Sequence, residues 1–275
     1  MSVYVDGQFD CSGIFDSHAH YFDKRCENET EGADAVLRDN VFGRGIDGVI
    51  NVATNNDNAI VCIEQAKKYE KMYVAVGLHP EDVAYCKQSP DQELARLREL
   101  VSNTAKQNKI VAVGEIGLDY HYDGYDKTLQ QYYFEKQLEL AIDVGLPVII
   151  HDRDAHGDCF ETVIRYPRAR GVFHSFSGSA QMAAELVKRG WYISFSGVLT
   201  FKNARKAVEV AESVPIDRIL LETDCPYLAP HPFRGRINHS GLMYLTAERV
   251  AEIKGISLDE VKKITRNNVK ELFGI

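Results

Sequence analysis

Eight apolar runs rich in β-branched residues recur along the chain, and this recurrence constrains the fold more than any other feature. The runs are GIFDSHAH (13–20), IDGVINVAT (46–54), MYVAVGLHP (72–80), IVAVGEIGLDY (110–120), PVIIHDR (147–153), GVFHSFSG (171–178), WYISFSG (191–197) and ILLETDCPY (219–227). Stretches with helical periodicity lie between them, such as DQELARLRELVSNTAKQ (91–107) and TLQQYYFEKQLELAIDVG (128–145). This alternation predicts an α/β fold built on a parallel sheet.

The number of runs and the chain length favour a closed barrel. A TIM (β/α)8 barrel needs eight strand–helix units and typically about 250 residues. The runs are also apolar almost throughout, as in strands that are covered on both faces. We therefore predict an α/β protein with a TIM (β/α)8 barrel, formed by one domain that spans residues 1–275. The alternative is a doubly wound sheet, which usually carries a GxGxxG loop that this sequence lacks.

Composition and charge exclude several other classes of protein. The apolar fraction of 45% is typical of a folded globular chain. No apolar stretch approaches the roughly 18 residues of a membrane helix, and the first residues lack a signal-peptide pattern. The cysteines form no CxxC pair, which indicates reduced thiols. We therefore predict a cytoplasmic protein with no membrane partner.

Potential metal ligands stand at the ends of the apolar runs. Because the carboxyl ends of parallel strands meet at one mouth of a barrel, residues that are distant in sequence converge there. Burying several imidazoles and carboxylates together without a cation would be unfavourable, through desolvation and like-charge repulsion. The sequence therefore predicts at least one bound cation at these strand ends, where the groups able to ligate a metal are, in chain order, Asp16, His18, His20, His79, Glu115, His151, His174 and Asp224.

Nitrogen and oxygen ligands without a nearby thiolate suit zinc, manganese or iron, and magnesium can bind through the carboxylates. The ligands exceed what one tetrahedral ion uses, which favours two divalent ions (Mg²⁺, Mn²⁺ or Zn²⁺) bridged by a carboxylate at roughly 3.5–4 Å. Glu115 lies on the fourth run, midway round the barrel, and is the natural bridge. For His79 the alternative is a structural hydrogen bond.

Taken together, these motifs resemble the TatD family of metal-dependent deoxyribonucleases, within the amidohydrolase-like barrels. The matching segments are DSHAH (16–20), GLHP (77–80), GEIGLDY (114–120), IIHDR (149–153), FHSFSG (173–178) and ETDCPYL (222–228). The resemblance implies a first metal site from His18, His20, Glu115 and Asp224. It implies a second from Glu115, His151 and His174. It also implies that Asp224 takes a proton from the attacking water.

One loop departs from the family pattern. The family usually carries an arginine-rich loop much like RGKRNEP, whereas residues 234–240 read RGRINHS. Ile237 replaces a basic residue, and His239 and Ser240 replace Glu-Pro. The loop follows the eighth strand, where barrels commonly bind phosphate. The departure therefore concerns the substrate rather than the metal chemistry.

The predicted function is hydrolysis of DNA phosphodiesters by a metal-activated water, as an exonuclease on single strands or ends. The predicted catalytic residues are Asp224, Glu115 and His79. Candidate phosphate-binding residues are Arg153, Arg234 and Arg236, since guanidinium matches phosphate with two parallel hydrogen bonds; the alternative is solvated surface. The net charge of −8 means that such local groups, rather than the whole-molecule field, must attract nucleic acid.

Other residues have assisting roles in this prediction. Aromatic residues near the mouth would stack on single-stranded bases, namely Phe176, Tyr227 and Phe233. Asp119 and Tyr120 would orient ligands, with simple packing as the alternative for Tyr120. A second hypothesis is hydrolysis of an ester or amide, such as a D-aminoacyl-tRNA, because two metals polarise a carbonyl equally well. A third hypothesis is a non-catalytic barrel.

Overall fold

The computed structural model describes residues 9–86, 88–103 and 105–275. Eight strands pair in parallel and in chain order within one sheet. A parallel bridge between Ala19 and Cys225 joins the first strand to the segment after the last, so the sheet closes into a barrel. The predicted TIM barrel is confirmed. Its strands are β1 (Phe15–Ala19), β2 (Gly48–Val52), β3 (Met72–Val76), β4 (Ile110–Asp119), β5 (Val148–Arg153), β6 (Gly171–Phe173), β7 (Tyr192–Phe195) and β8 (Ile219–Leu221).

Helices connect successive strands, and two more follow β8. They are α1 (Lys24–Asn28), α2 (Ala33–Ala35), α3 (Asn56–Lys68), α4 (Pro90–Asn103), α5 (Lys127–Val144), α6 (His156–Arg165), α7 (Ala180–Lys188), α8 (Arg205–Ser213), α9 (Met243–Lys254) and α10 (Leu258–Phe273). A π-helical turn, Val36–Val41, continues α2. Short 3₁₀ turns occur at Phe42–Arg44, Val83–Tyr85, Gly197–Thr200, Ile216–Arg218 and Ser240–Leu242.

Both helical stretches singled out in the sequence form helices, α4 and α5, and local chemistry sets the ends of α5. The side chain of Asp126 accepts a hydrogen bond from the backbone N–H of Leu129, which satisfies a free donor in the first turn. Gly145 ends the helix in the left-handed conformation, with φ of 74°. Glycine adopts this conformation without the steric cost of a Cβ atom.

Strand side chains alternate between the helix layer and the barrel interior. In β5, Val148 and Ile150 belong to the core beneath the helices, whereas Ile149 belongs to a separate interior cluster. The period of two that places Ile149 inside also turns His151 toward the interior. A continuous apolar run thus ends in a polar group that faces the mouth.

The last helix covers the other end of the barrel. Leu272 and Phe273 of α10 pack in the interior cluster with Phe15, which begins β1. Arg170, just before β6, donates a hydrogen bond to the carbonyl oxygen of Leu272 at 3.0 Å. The strand N-termini are therefore closed off by α10, and access to the interior is from the C-terminal ends.

Gly117 allows β4 and β5 to approach each other closely. Its register partner is His151, and a Cβ atom at Gly117 would lie only 2.0 Å from the carbonyl oxygen of that residue. Its φ of 145° is also one that other residues rarely adopt. The second glycine of GEIGLDY therefore keeps Glu115 and His151 on closely paired strands.

Among the described residues, no helix combines the length and apolar character needed to cross a bilayer. The cysteines, all of which lie in the described ranges, are free thiols, and all except Cys86 are buried.

Candidate metal centre

The structure brings the predicted metal ligands together at the C-terminal ends of the strands. The residues come from β1, β4 and β5 and from the segments just after β1, β3, β6 and β8. Ligand atoms within 4.8 Å of one another form three groups: His18, His20 and Glu115; His18, His174 and Asp224; and His79, Glu115 and His151.

Glu115 lies at the centre of the cluster, and its two oxygens face different partners. Oε2 lies 3.3 Å from Nε2 of His18 and 3.5 Å from Nε2 of His20. Oε1 lies 2.6 Å from Nδ1 of His151 and 2.7 Å from Nε2 of His174. One buried carboxylate thus presents an oxygen to each of two imidazole pairs, which is the arrangement expected of a bridging ligand.

Asp224 completes the group around His18 and His20. Its Oδ1 lies 3.3 Å from Nε2 of His20 and 3.9 Å from Nε2 of His18. The residue adopts the left-handed conformation, with φ of 56°, and its backbone N–H donates to the carbonyl oxygen of His18. The side chain is 17% exposed, whereas that of Glu115 is 3% exposed. Asp224 is therefore the carboxylate of this group that meets solvent.

The donor atoms fit a divalent cation. Nδ1 of His20 lies 2.7 Å from the carbonyl oxygen of Val52, which can only accept, so Nδ1 carries the proton and the lone pair of Nε2 faces the cluster. That atom is 3.0 Å from Nε2 of His18. Two inward-facing ring nitrogens beside two carboxylates require a proton or a cation between them, and a nitrogen and oxygen donor set suits zinc, manganese or iron.

Electrostatics within the cluster shift its pKa values strongly. Burial alone would raise the pKa of Glu115, but the neighbouring His174, His18 and His79 hold it well below its usual range. Burial opposes protonation of His151, yet its hydrogen bonds with Asp119 and Glu115 raise its pKa to about 9. Without a metal, protons on His151 and His174, whose pKa values are both raised, therefore balance the buried carboxylates.

We expect the stabilisation by metal to grow with pH. Below the pKa of His151, about 9, the cation must displace its proton, so affinity rises with pH. In the metal-free protein the raised pKa stabilises the fold below the ordinary histidine pKa of about 6.5. That stabilisation is lost as pH rises through about 9. The measurement is the thermal midpoint with metal and with chelator from pH 6.5 to 9. The prediction would be contradicted if the difference between the thermal midpoints with metal and with chelator stayed constant over this pH range.

Two further carboxylates face the outer nitrogens of the imidazoles: Asp119 is hydrogen-bonded to His151, whereas Glu222 is near His174 without hydrogen-bond geometry. Oδ2 of Asp119 lies 2.8 Å from Nε2 of His151, and Oε1 of Glu222 lies 3.4 Å from Nδ1 of His174. The hydroxyl of Ser194 donates to the other oxygen of Glu222. Such partners orient a ligating imidazole and increase its basicity. Glu222 was not identified as a site residue from the sequence. Its position directly after the apolar strand β8 is the sequence signal that predicts its burial.

Asp16 lies near the cluster but has a different role from the one suggested by its place in DSHAH. Its Oδ1 accepts the backbone N–H groups of His18 and Thr223 at 3.2 and 3.1 Å. Its Oδ2 accepts the hydroxyls of Thr223 and Ser240, each at 2.7 Å. Complete burial raises the pKa of Asp16 to about 7 despite these bonds. Asp16 thus ties the ends of β1 and β8 together, and Ser240, one of the residues that depart from the family loop, takes part.

The predicted substrate-binding residues are at the end of β5 or in the segments that follow β3 and β8. His79 places Nε2 3.6 Å from Oε1 of Glu115. The guanidinium of Arg153 lies over the ring of Tyr122. Arg234 and Arg236 are exposed and lie over the rings of Phe201 and Phe233.

Two of the predicted stacking aromatics are wrong. Phe176 and Phe233 are only 5% and 3% exposed, because both pack inside the loops rather than at the rim. Tyr227 is 41% exposed and remains available. The hydroxyl of Tyr120 donates to Asp158 at 2.9 Å, which favours the packing alternative for that residue.

A parallel barrel with these ligands at its mouth is typical of metal-dependent hydrolases. Residues 15–274 match the profile of the family described as TatD related DNase, and the chain belongs to this family. The chain is 38% identical to a metal-dependent hydrolase of Bacillus subtilis, YabD, over 95% of this chain and 99% of that protein. It is 33% identical to another from Escherichia coli, YcfH, over 95% of this chain and 96% of that one.

The fold agrees with a solved member of the same group. The crystal structure of YJJV, a TatD homologue from Escherichia coli, superposes with a TM-score of 0.85 at 31% identity, covering 97% of this chain and 100% of that one. The family resemblance seen in the sequence is confirmed, and the protein is a metal-dependent hydrolase.

Proposed function

We propose that this hydrolase cleaves phosphodiester bonds of DNA and acts as an exonuclease on single strands or strand ends. One observation carries the proposal: Glu115 presents separate oxygens to two imidazole pairs beside the solvent-facing Asp224. The first ion would be held by His18, His20, Glu115 and Asp224. The second would be held by Glu115, His151 and His174.

When bound, two divalent cations lower the pKa of a water and stabilise negative charge on phosphoryl oxygens. The chain supplies the proton acceptor. Burial would raise the pKa of Asp224, but its hydrogen bond with His20 and the charges of the neighbouring histidines lower it, so the carboxylate is ionised. An ionised, partly exposed carboxylate can take the proton of the attacking water. His79, at the edge of the cluster, binds a phosphate oxygen or donates to the leaving group.

The rim favours ends and single strands. Arg153, Arg234 and Arg236 would contact the phosphates that flank the cleaved bond. A barrel mouth does not enter a duplex groove, so a strand must reach the ions with its backbone exposed. Because only a few phosphates are contacted, we expect weak salt dependence. The cytoplasmic location stays a prediction.

The test is a panel of metals crossed with substrates. The protein is purified without chelator, its metal content is measured, and Mg²⁺, Mn²⁺ and Zn²⁺ are each assayed with single-stranded DNA, duplex DNA, RNA and D-aminoacyl-tRNA. We expect two ions per chain and release of nucleotides from single-stranded DNA. Deacylation of D-aminoacyl-tRNA with no nuclease activity under any metal would replace the proposal by the ester-hydrolase alternative.

A further inference from the structure

We propose that two tyrosine–arginine pairs on opposite sides of the mouth bind the nucleotides on either side of the scissile phosphate. The pairs are Tyr122 with Arg153, and Tyr227 with Arg25. This inference rests on the proposed nuclease function and specifies its substrate. The substrate is a single strand that crosses the mouth with one unpaired base on each side of the ions.

The first pair follows β4 and β5. The guanidinium of Arg153 lies 5.0 Å from the centre of the Tyr122 ring, and Tyr122 is 58% exposed. Arg153 is the register partner of Asp119, which holds the outer nitrogen of His151. The pair is thus adjacent to the ligands that belong to the second ion.

The second pair follows β8 and β1. The guanidinium of Arg25 lies 5.3 Å from the centre of the Tyr227 ring, and Tyr227 is 41% exposed. The hydroxyl of Tyr227 donates to Asp23 at 2.7 Å, which fixes the ring. Its backbone N–H donates to the carbonyl oxygen of Asp224. This pair is thus adjacent to the ligands that belong to the first ion.

The strand order places the two pairs opposite each other. In a closed sheet that runs from β1 to β8, the β4–β5 junction is halfway round the barrel from the β8–β1 junction. The metal ligands lie between the two junctions. A strand that contacts both tyrosines must therefore pass over the ions.

The chemistry of the pairs suits nucleobases. An exposed tyrosine ring stacks on any base, and the arginine beside it adds a cation–π contact and N–H donors for the same nucleotide. The nearby carboxylates offset part of the arginine charge: Glu81 lies 3.9 Å from Arg153, and Glu29 lies 2.9 Å from Arg25. Base stacking on the tyrosine rings, rather than attraction of the DNA to a net positive charge, then provides the binding free energy. Paired bases in a duplex cannot stack on both rings, so duplex DNA must fray first.

The test compares alanine and phenylalanine at each tyrosine of the metal-loaded enzyme. We expect Tyr122→Ala and Tyr227→Ala each to raise KM for a short single-stranded DNA by about tenfold, with kcat within about twofold of the wild type. Tyr122→Phe keeps the ring and should behave like the wild type, whereas Tyr227→Phe keeps the ring but loses its bond to Asp23 and should raise KM less than Tyr227→Ala does. Tyr132→Ala is the matched control, because Tyr132 is an exposed tyrosine on the outer helix α5.

Two modified substrates sharpen the test. Methyl 4-nitrophenyl phosphate carries no nucleobase, so the alanine variants should hydrolyse it at the wild-type rate. When the substrate has an abasic position on one side of the cleaved bond, one alanine variant should no longer differ from the wild type in KM, whereas the other should still differ. The abasic position on the other side should abolish the effect of the other variant.

The outcomes separate this inference from the proposed function. If both alanine variants cleave DNA with unchanged KM, the two-tyrosine inference is overturned but the nuclease function is not. The same holds if an abasic position on one side of the cleaved bond abolishes the effect of both variants. A wild type that cleaves no DNA would overturn the nuclease function. In that case the two-tyrosine inference is tested by the affinity for labelled single-stranded DNA, measured by fluorescence anisotropy in the presence of chelator. About tenfold weaker binding by each alanine variant supports it, and equal or absent binding overturns it.

Discussion

Replacing Asp224 with asparagine is expected to lower kcat by about 10²- to 10⁴-fold while the fold is retained. The substitution removes the proposed proton acceptor and one negative charge from the group that contains His18 and His20. It does not disturb the backbone, since asparagine tolerates the left-handed conformation that Asp224 adopts at φ of 56°. The loss is therefore chemical rather than structural.

The measurement is steady-state hydrolysis, together with metal content and the thermal midpoint. Asp154→Asn is the matched control, because Asp154 also has φ of 56° but has an exposed side chain that pairs with His121. The control should keep wild-type kcat. Nuclease activity that survives in Asp224→Asn would remove this aspartate from the proposed mechanism.

Glu115→Gln is expected to affect both ions at once. The neutral amide removes the negative charge that Glu115 places between the two imidazole pairs, so we expect bound metal to fall below one ion per chain and hydrolysis to be lost. Without metal, the histidines lose the buried charge that balances their protons. Breaking a buried charge pair of this kind costs about 3 kcal/mol of the free energy of unfolding.

Urea unfolding in chelator and metal analysis by mass spectrometry measure these two effects. Glu93→Gln is the control, since Glu93 is also buried, at 5% exposure, but pairs with Asn56 and Arg96 in the helix layer rather than with a metal ligand. That variant should bind metal like the wild type. Two ions retained in Glu115→Gln would show that the carboxylate does not bridge them.

The fold and the position of the ligands could be predicted because both follow from periodicity. The alternation of apolar runs and helices specifies a parallel barrel, and strand ends in such a barrel share one mouth. His151 illustrates the argument: it follows Ile149 by two residues in a continuous run, and the structure places both on the interior side. The two-residue spacing was sufficient to predict the direction of the His151 side chain because β5 is a regular strand.

Features that depend on loop conformation could not be predicted in this way. Asp16 precedes His18 by two residues, but the pairing with β2 shifts register between Asp16 and Ala19, and the Asp16 carboxylate accepts from the backbone of Thr223, just after β8. Phe176 and Phe233 are in loops whose folding buries both rings. The partner of Tyr227, Arg25, is distant in sequence, and no periodicity relates them.

The Asp16–Ser240 hydrogen bond that joins the two ends of the barrel has a consequence for biosynthesis. The two residues are 224 positions apart, so the ribosome releases His18 and His20 long before the segment that carries Asp224 and Ser240. Contacts of such long range slow folding, because the entropy of closing the intervening chain must be lost before they form. A stalled or truncated chain retains imidazoles without their aspartate and binds the cation poorly. Only a chain synthesised past residue 240 carries both Asp224 and the Ser240 hydroxyl that Asp16 binds.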